Sequence, residues 1–237
     1  MKSSPRTAII TGGTGALGSV VAEQFFDRGA NVAIPVHSER SLSLIPGRIA
    51  GEADRVLSAV AHLNAEDQIQ GFVQNVLTRF GHIDILVNAA GGYAGGFTID
   101  EAPTEQWDEM MNVNLRTTFL MCRAALPSMR TKGFGRIVNI AAMPALHPGA
   151  KKGPYQVSKG GVITLTETIA EEVKGTGITC NAIAPSIILT EANKKSMPGA
   201  DVKKWVTPEE IAHLVSYLCS DEAQSVSGNV IKIYGGV

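Results

Sequence analysis

Short runs of apolar residues alternate along this chain with longer segments in which apolar side chains recur every three or four positions. Continuous apolar runs are typical of parallel strands buried on both faces, whereas the longer period is typical of amphipathic helices. Alternating strands and helices form βαβ units with right-handed crossovers. The pattern therefore predicts an α/β fold, with one doubly wound domain over residues 1–237 and a mainly parallel, seven-stranded sheet that carries helices on both faces. The predicted strands are 7–10, 32–36, 56–60, 83–87, 136–140, 178–183 and 230–233.

Two predicted helices begin with capping signals. Asn64, followed three residues later by Asp67, predicts the start of a helix that runs to about residue 80. Thr207, with a proline after it and Glu210 at the reciprocal position, predicts a capping box and a helix to about Leu218.

Residues 186–206, between the sixth strand and the last helix, form the least regular stretch of the chain and include Pro198 and Gly199. In open α/β sheets, ligands bind beyond the carboxyl ends of the strands. We therefore interpret 186–206 as a substrate lid, with a disordered surface loop as the alternative.

A glycine-rich turn directly follows the first predicted strand. Gly12, Gly15 and Gly18 recur at intervals of three, and an amphipathic helix begins within the same segment. Glycines let the backbone turn tightly and approach a pyrophosphate, which the free N–H groups and the positive end of the helix attract. A strand before the glycines and a helix after them predict a dinucleotide site in a Rossmann-type domain.

Tyr155 and Lys159 form a second candidate constellation. A spacing of four on a helix places both side chains on one face. There the ammonium can stabilise a phenolate and lower the tyrosine pKa from its ordinary value of about 10. A tyrosine tuned in this way can exchange a proton with a substrate near neutral pH.

Composition argues against several other classes of function. The formal net charge is −1 and the isoelectric point is about 6.5, so no basic excess favours nucleic acid or anionic lipid. No apolar stretch is long enough to span a bilayer or to act as a signal peptide. The three cysteines are widely separated, and neither they nor the histidines show metal-ligand spacing. We expect a cytoplasmic protein that acts on a small molecule and holds no metal.

These motifs, taken in order, resemble the short-chain dehydrogenase/reductase family over essentially the whole chain. The glycine turn is similar to that family's glycine motif, the tyrosine and lysine match its YxxxK, and residues 84–91 (DILVNAAG) are similar to its segment beside the cofactor. Residues 112–115 (NVNL) resemble the segment whose second asparagine, here Asn114, supports an active-site water through a helix kink. Residues 180–185 with Thr190 are similar to the segment that contacts the nicotinamide carboxamide.

The resemblance implies a role for each matching residue. Tyr155 would supply the proton, Lys159 would hold the cofactor ribose and tune Tyr155, and Asn114 would anchor a proton-relay water. A homodimer or homotetramer, assembled through the helices that contain Asn114 and Tyr155, is also implied. The implied cofactor-binding residues are Gly12, Thr14, Gly15, Ala16, Leu17, His37, Ser38, Arg40, His62, Leu63, Asn88, Ala89, Ala90, Tyr155, Lys159, Pro185, Ile188 and Thr190.

One position departs from the family pattern. Typical members carry a serine thirteen residues before the tyrosine, where it hydrogen-bonds the substrate carbonyl, but Ala142 stands there in this chain. Losing a preorganised donor to a developing oxyanion can cost roughly a hundred- to a thousandfold in rate. Either the substrate does not need that donor, or the chain has lost activity.

A narrower resemblance favours a substrate that does not need the donor. Residues 91–96 (GGYAGG), Ala142 and residues 195–205 are similar to the dihydropteridine reductase branch, which also lacks the serine. The substrate of that branch is a quinonoid dihydropterin, a flat and electron-poor ring system. The alternative is that 91–96 is only a flexible turn. The implied substrate-binding residues are Tyr93, Ala142, Met197 and Trp205.

Cofactor preference depends on the end of the second strand, where NAD-preferring members carry an acidic residue. Val36 occupies that position, which removes the repulsion against a 2′-phosphate, and His37, Ser38 and Arg40 could donate to such a phosphate. NADPH is therefore slightly favoured, although the narrower resemblance favours NADH. His62 stands where many relatives place an aspartate against the adenine amine.

Three functions remain as hypotheses. The first is an NAD(P)H-dependent reductase that transfers hydride to a conjugated or quinonoid acceptor, such as a quinonoid dihydropterin. The second is a conventional carbonyl reductase or alcohol dehydrogenase in which another group replaces the missing hydroxyl. The third is a catalytically silent nucleotide-binding or scaffold protein, which the joint presence of Asn114, Tyr155 and Lys159 disfavours.

Overall fold

The computed structural model describes residues 5–237, which form one parallel sheet with the strand order β3-β2-β1-β4-β5-β6-β7. The order reverses between β1 and β4, as in a doubly wound α/β domain. This confirms the predicted fold, and all seven predicted strands are present with small changes at their ends. The strands are β1 (Thr7–Thr11), β2 (Asn31–Val36), β3 (Val56–Val60), β4 (Ile85–Asn88), β5 (Gly135–Ile140), β6 (Ile178–Pro185) and β7 (Val230–Ile233).

Helices connect the strands and cover both faces of the sheet. A π-helical segment, Met111–Arg116, interrupts one long helical stretch between β4 and β5. The α-helices are α1 (Ala16–Asp27), α2 (Glu39–Leu42), α3 (Gly47–Ala50), α4 (Glu66–Phe80), α5 (Thr104–Met110), α6 (Thr117–Lys132), α7 (Met143–Leu146), α8 (Gly153–Glu172), α9 (Glu191–Ser196) and α10 (Pro208–Leu218).

Most of the core consists of two apolar layers, one on each face of the sheet, and a smaller cluster contains Ala141, Val162 and Ala184. Successive residues of β1 point to opposite faces, so Ile10 packs in the layer with α1 and α10, while Ile9 packs in the layer with α4 and α6. Both isoleucines are fully buried. Strands buried on both faces explain why the sequence shows continuous apolar runs rather than alternation.

The two capping predictions have different outcomes. Thr207 accepts a hydrogen bond from the backbone of Glu210, whose carboxylate accepts one from the backbone of Thr207, so the predicted capping box is present. The prediction for Asn64 is wrong, because α4 begins after Ala65, and within the described residues that helix start has no side-chain cap. Glu66 and Asp67 in the first turn favour this helix start through their charge instead.

The segment 186–206 contains regular structure, and its role as a substrate lid stays a prediction. It contains α9 and a short 3-10 turn (Val202–Lys204), and Ile188 pairs with Val206 in an isolated parallel bridge. Trp205 is only 6% exposed and anchors the end of the segment.

Among residues 5–237, none of the helices is long and apolar enough to cross a membrane.

We expect Thr207→Ala to lower the free energy of unfolding by about 1 kcal/mol, because it removes the hydrogen bonds of an N-cap. Asn64→Ala is the matched control and should change stability by less than about 0.5 kcal/mol, since no cap depends on its side chain. Denaturant unfolding of both variants measures the difference. Equal losses in the two variants would contradict this account of the helix starts.

Candidate active site

A cavity of about 700 Å³ lies beyond the carboxyl ends of β1 to β4. Its position matches the ligand crevice of an open α/β sheet, next to the point where the strand order reverses. The predicted cofactor residues in its wall are Gly12, Thr14, Gly15, His37, His62, Leu63, Ala89 and Ala90.

The glycine turn brings backbone, rather than side chains, to one wall of the cavity. Gly12 has a φ of +68°, and a Cβ on it would lie 2.9 Å from the backbone nitrogen of Ala90. Gly15 is the N-cap residue of α1 and supplies no side chain to that helix start. The first N–H groups of a helix have no partners within the helix, so they are free to bind an anion. This cradle fits the pyrophosphate of a dinucleotide.

The opposite end of the cavity lies beyond β2 and β3. Val36 is 2% exposed and lines the cavity, so this wall has no acid at the predicted position. The imidazole Nδ1 atoms of His37 and His62 lie 3.2 Å apart, and both rings line the cavity. The hydroxyls of Ser38 and Ser41 are 3.0 Å apart, and Ser41, which the sequence did not single out, is the one in the wall.

The remaining predicted cofactor residues lie outside this wall. Leu17 packs in the core, and Arg40 is exposed on α2. Asn88 is 3% exposed and donates to Asn139 Oδ1 at 2.9 Å, so its amide is used inside the sheet. Thr190 caps α9 by accepting from the backbone of Asn193. The others outside the wall are Ala16, Ser38, Tyr155, Lys159, Pro185 and Ile188.

Sequence reasoning missed one side of the cavity. Glu109, Asn112, Val113 and Thr117 line it at helical spacings of three, one and four residues. This spacing across α5, the π segment and α6 is the signal that could have found them, because residues three or four apart share a helix face. Only the structure shows that this face turns towards the cavity.

Asn114 occupies the predicted helix irregularity and is fully buried in the π segment. Its Oδ1 accepts from the backbone nitrogen of Gly92 at 3.0 Å. Its Nδ2 donates to the carbonyl of Gly92 at 3.1 Å and to the hydroxyl of Ser158 at 3.1 Å. One amide therefore joins the π segment, the loop after β4 and helix α8.

Gly91 lies where the cavity meets these buried polar groups. A Cβ on Gly91 would lie 2.7 Å from Asn114 Oδ1 and 3.2 Å from the ammonium of Lys159. Gly91 is also in the cavity wall. The geometry thus places Asn114 and Lys159 beside the end of the cavity that lies away from the histidines.

The electrostatics of the tyrosine and lysine differ from the sequence expectation. Burial raises the pKa of Tyr155 to about 12, with a further contribution from Tyr93. Burial lowers the pKa of Lys159 to about 8, and its ammonium donates to the carbonyl of Ile140 at 2.7 Å. The expected lowering of the Tyr155 pKa is wrong for this structure, because desolvation of the phenol outweighs the effect of the ammonium, which donates to the carbonyl of Ile140.

These pKa directions suit a proton donor. With a raised pKa, Tyr155 carries its proton at neutral pH, and Lys159 remains charged below about pH 8. A cation on the same helix face favours the phenolate that is left after the proton has gone. The arrangement can therefore donate a proton to an acceptor on which negative charge develops during the reaction.

The predicted substrate residues fall into two groups. Tyr93 is 61% exposed, and its ring meets that of Tyr155 edge to face with centroids 4.9 Å apart. Ala142 is 4% exposed and follows β5, two residues after the carbonyl that binds Lys159. Met197 lies at the end of α9 and is partly buried, whereas Trp205 is buried at the base of its segment.

The loop 91–96 is attached to the helix that carries the tyrosine. The backbone nitrogen of Gly96 donates to the carbonyl of Lys151 at 2.8 Å, just before α8 begins. The two hydrogen bonds between Gly92 and Asn114, one donated by each residue, fix the other end of the loop. Within residues 5–237, no cluster of three or more histidine, cysteine or acidic side chains is arranged to hold a metal ion.

Comparison with known proteins identifies the class. Residues 6–201 match the family model of the short chain dehydrogenases. This chain belongs to the short chain dehydrogenase family, and it is an oxidoreductase of the NAD(P)-dependent kind.

Several relatives are similar over nearly their whole length. A D-beta-hydroxybutyrate dehydrogenase of Rhizobium meliloti is 33% identical, with 98% of each chain covered. A 3-oxoacyl-[acyl-carrier-protein] reductase of Thermotoga maritima is 31% identical, with 100% of this chain and 99% of the relative covered. The crystal structure of levodione reductase is 29% identical with a TM-score of 0.89, and covers 98% of this chain and 97% of its own.

We expect Gly15→Val to weaken NAD(P)H binding at least tenfold while leaving the fold intact. The φ of Gly15 is −89°, which any residue adopts, and a Cβ there would lie 3.2 Å from the carbonyl oxygen of Gly12. The added side chain therefore obstructs the anion cradle at the cost of a small shift of the turn. Gly71→Ala is the control, because a Cβ there meets no atom of the described residues within 4 Å. Fluorescence titration with NADPH and NADH measures both. Unchanged affinity in a folded Gly15→Val variant would place the cofactor elsewhere.

We expect Tyr155→Phe to lose about a hundredfold or more in kcat while it retains cofactor binding, because only the proton donor is removed. In the wild type, the rate of reduction should fall as the pH rises through about 8, since Lys159 then loses the charge that favours the phenolate. Stopped-flow cofactor oxidation over a pH series checks both points. A rate that is flat from neutral pH to about pH 9 would show that the charge of Lys159 does not limit the reaction.

Proposed function

We propose that this protein is an NAD(P)H-dependent reductase whose acceptor is a conjugated or quinonoid compound. A bound nicotinamide cofactor supplies the hydride. Tyr155 donates the proton, Lys159 favours the resulting phenolate, and Asn114 holds the loop after β4 against helix α8. The observation that carries the proposal is Ala142, which puts a buried methyl group where the family's carbonyl donor would lie.

The missing hydroxyl matters most for an isolated ketone. Reduction of a simple ketone builds charge on one oxygen, and a preorganised donor stabilises that charge. A quinonoid or otherwise conjugated acceptor spreads the charge over several atoms, so it depends less on one donor. The joint presence of buried Asn114 and Lys159 and of partly buried Tyr155 supports an active catalyst over a silent nucleotide-binding protein.

Tyr93 supports a flat substrate. Its ring is 61% exposed and lies roughly perpendicular to the ring of Tyr155, so much of its surface is open beside the proposed proton donor. Aromatic faces pack against flat ring systems with about 0.5–1.5 kcal/mol beyond the buried area. A quinonoid dihydropterin has this shape and is one candidate within the proposed class.

A conventional carbonyl reductase is the second candidate, and the names of the relatives favour it. Hydroxybutyrate dehydrogenase and 3-oxoacyl-[acyl-carrier-protein] reductase are names of enzymes acting on hydroxy or oxo groups. In this case a water or another donor would replace the hydroxyl that Ala142 lacks. The two candidates differ in their preferred acceptor, so a substrate panel distinguishes them.

The remaining expectations stay proposals. We propose a slight preference for NADPH, a cytoplasmic location, and a homodimer or homotetramer formed through the helices around Asn114 and Tyr155. Two exposed apolar side chains support such an assembly: Phe119 on α6 is 45% exposed, and Val157 on α8 is 49% exposed. Sedimentation of the purified protein measures its oligomeric state.

We expect the wild type to prefer quinonoid dihydropterins and quinones over unactivated ketones, and Ala142→Ser to narrow this gap at least tenfold by raising ketone turnover. The physical reason is the hydroxyl donor that the substitution restores near Tyr155. Ala150→Ser, at an exposed loop position, adds the same group away from the site and is the control.

Cofactor oxidation with a panel of quinonoid pterins, quinones and ketones provides the measurement. Strong wild-type turnover of simple ketones, together with no turnover of any conjugated acceptor, would favour the carbonyl reductase in place of the proposal.

A further inference from the structure

The loop after β4 places a second phenol beside the proposed proton donor. The rings of Tyr93 and Tyr155 meet edge to face, with their centroids 4.9 Å apart and their planes at 80°. Tyr93 is 61% exposed, whereas Tyr155 is partly buried. Two phenols therefore lie side by side where an acceptor approaches Tyr155, although the mechanism described so far uses the hydroxyl of only one of them.

The position of the Tyr93 hydroxyl depends on a glycine in its own loop. A Cβ on Gly95 would lie 2.7 Å from Tyr93 Oη and 2.9 Å from the carbonyl oxygen of Lys151. Because a Cβ does not approach other atoms so closely, any larger residue at position 95 would displace the phenol. The glycine therefore leaves room for the Tyr93 hydroxyl to lie close to the turn that precedes α8.

This loop is fixed to its surroundings at both ends. Gly92 and Asn114 exchange two hydrogen bonds, and the backbone nitrogen of Gly96 donates to the carbonyl of Lys151 at 2.8 Å. Lys151 has a φ of +61°, in the left-handed region that residues other than glycine seldom adopt. Backbone strain of this kind persists where the surrounding structure holds it, and it is concentrated at functional sites. The phenol of Tyr93 is thus carried by a loop with a defined position.

The Tyr93 hydroxyl is an unused hydrogen-bond donor. Within residues 5–237, no other group receives a hydrogen bond from it. Tyr93 also contributes to the raised pKa of Tyr155, because a negative charge on one phenol disfavours ionisation of a second phenol nearby. The two hydroxyls are therefore close enough to act on one small molecule.

We propose that the Tyr93 hydroxyl donates a hydrogen bond to the acceptor atom that Tyr155 protonates, and so supplies from the loop 91–96 the second donor that Ala142 lacks. The proposal deepens the proposed function and rests on it. The acceptor gains two electrons as hydride from the nicotinamide cofactor and one proton from Tyr155, while Tyr93 keeps its own proton. The contribution of Tyr93 is a hydrogen bond that strengthens as negative charge develops on that atom.

The ring and the hydroxyl of Tyr93 make separable contributions. The ring packs against any flat molecule, whereas the hydroxyl acts only on a molecule with an atom that accepts a hydrogen bond. Tyr93→Phe removes the hydroxyl and keeps the ring. Tyr217→Phe, at a 49% exposed position on α10, removes the same group from another exposed tyrosine and is the matched control.

Cofactor oxidation with quinones and quinonoid dihydropterins gives kcat and KM for each variant. We expect Tyr93→Phe to lower kcat at least tenfold with little change in KM or in NADPH affinity, because the hydrogen bond is strongest after charge has developed. Tyr217→Phe should behave as the wild type. In the Ala142→Ser background, the loss caused by Tyr93→Phe should shrink at least threefold, since the added hydroxyl donates to the same atom.

Binding to the complex with oxidised cofactor tests the contact without turnover. The probes are 1,4-naphthoquinone and naphthalene, which share a flat ring system, although only the quinone has oxygens that accept hydrogen bonds. We expect Tyr93→Phe to weaken binding of the quinone about threefold, as calorimetry measures it, and to leave naphthalene binding unchanged. Equal weakening of both probes would identify a packing effect and overturn the proposal.

The kinetic results separate this proposal from the function on which it rests. A Tyr93→Phe variant as fast as the wild type, or an equal loss with and without Ala142→Ser, overturns the role of the hydroxyl while the proposed function stands. Absence of wild-type turnover with every conjugated acceptor overturns the proposed function and this proposal with it.

Discussion

Because all seven strands are parallel, the loops that follow them leave the sheet at one edge. The glycine turn after β1, the histidines after β2 and β3, and the polar loop after β4 therefore meet around one cavity, although they are far apart in the sequence. The reversal of strand order between β1 and β4 keeps this crevice open, because the neighbouring loops diverge in opposite directions. The binding site follows directly from strand direction and order.

The buried polar groups beside the cavity, Lys159 above all, lower the stability of the fold. Lys159 is buried, and the fall of its pKa from 10.5 to about 8 means that the unfolded chain binds its proton more tightly than the native protein. By linkage, this destabilises the fold by on the order of 3 kcal/mol at neutral pH, and the cost shrinks as the pH rises from about 8 towards 10.5. The hydrogen bond to Ile140 offsets part of this cost. A buried cation of this kind is more consistent with chemistry than with packing.

The two ends of the site depart from the family pattern in a related way. At the adenosine end, Val36 and His62 stand where acids are usual, and at the substrate end a methyl group stands where a hydroxyl is usual. Each change removes a polar side chain that would bind the cofactor or the substrate at a fixed position. The proposed consequences are an adenosine end that does not repel a 2′-phosphate and an acceptor that carries its own activation.

The sequence by itself determined the strands, the class of fold, the glycine turn and the spacing of Tyr155 and Lys159, because these depend on local periodicity and on motifs within a few residues of one another. It misjudged the start of α4, since Asn64 has the right chemistry for a cap but the chain enters the helix after Ala65. Only the tertiary structure decided that Glu109 and Thr117 face the cavity, that His37 meets His62, and that burial raises rather than lowers the pKa of Tyr155. Each of these depends on which distant segments pack together and exclude water. The spacing of residues along one segment encodes neither the contact nor the desolvation.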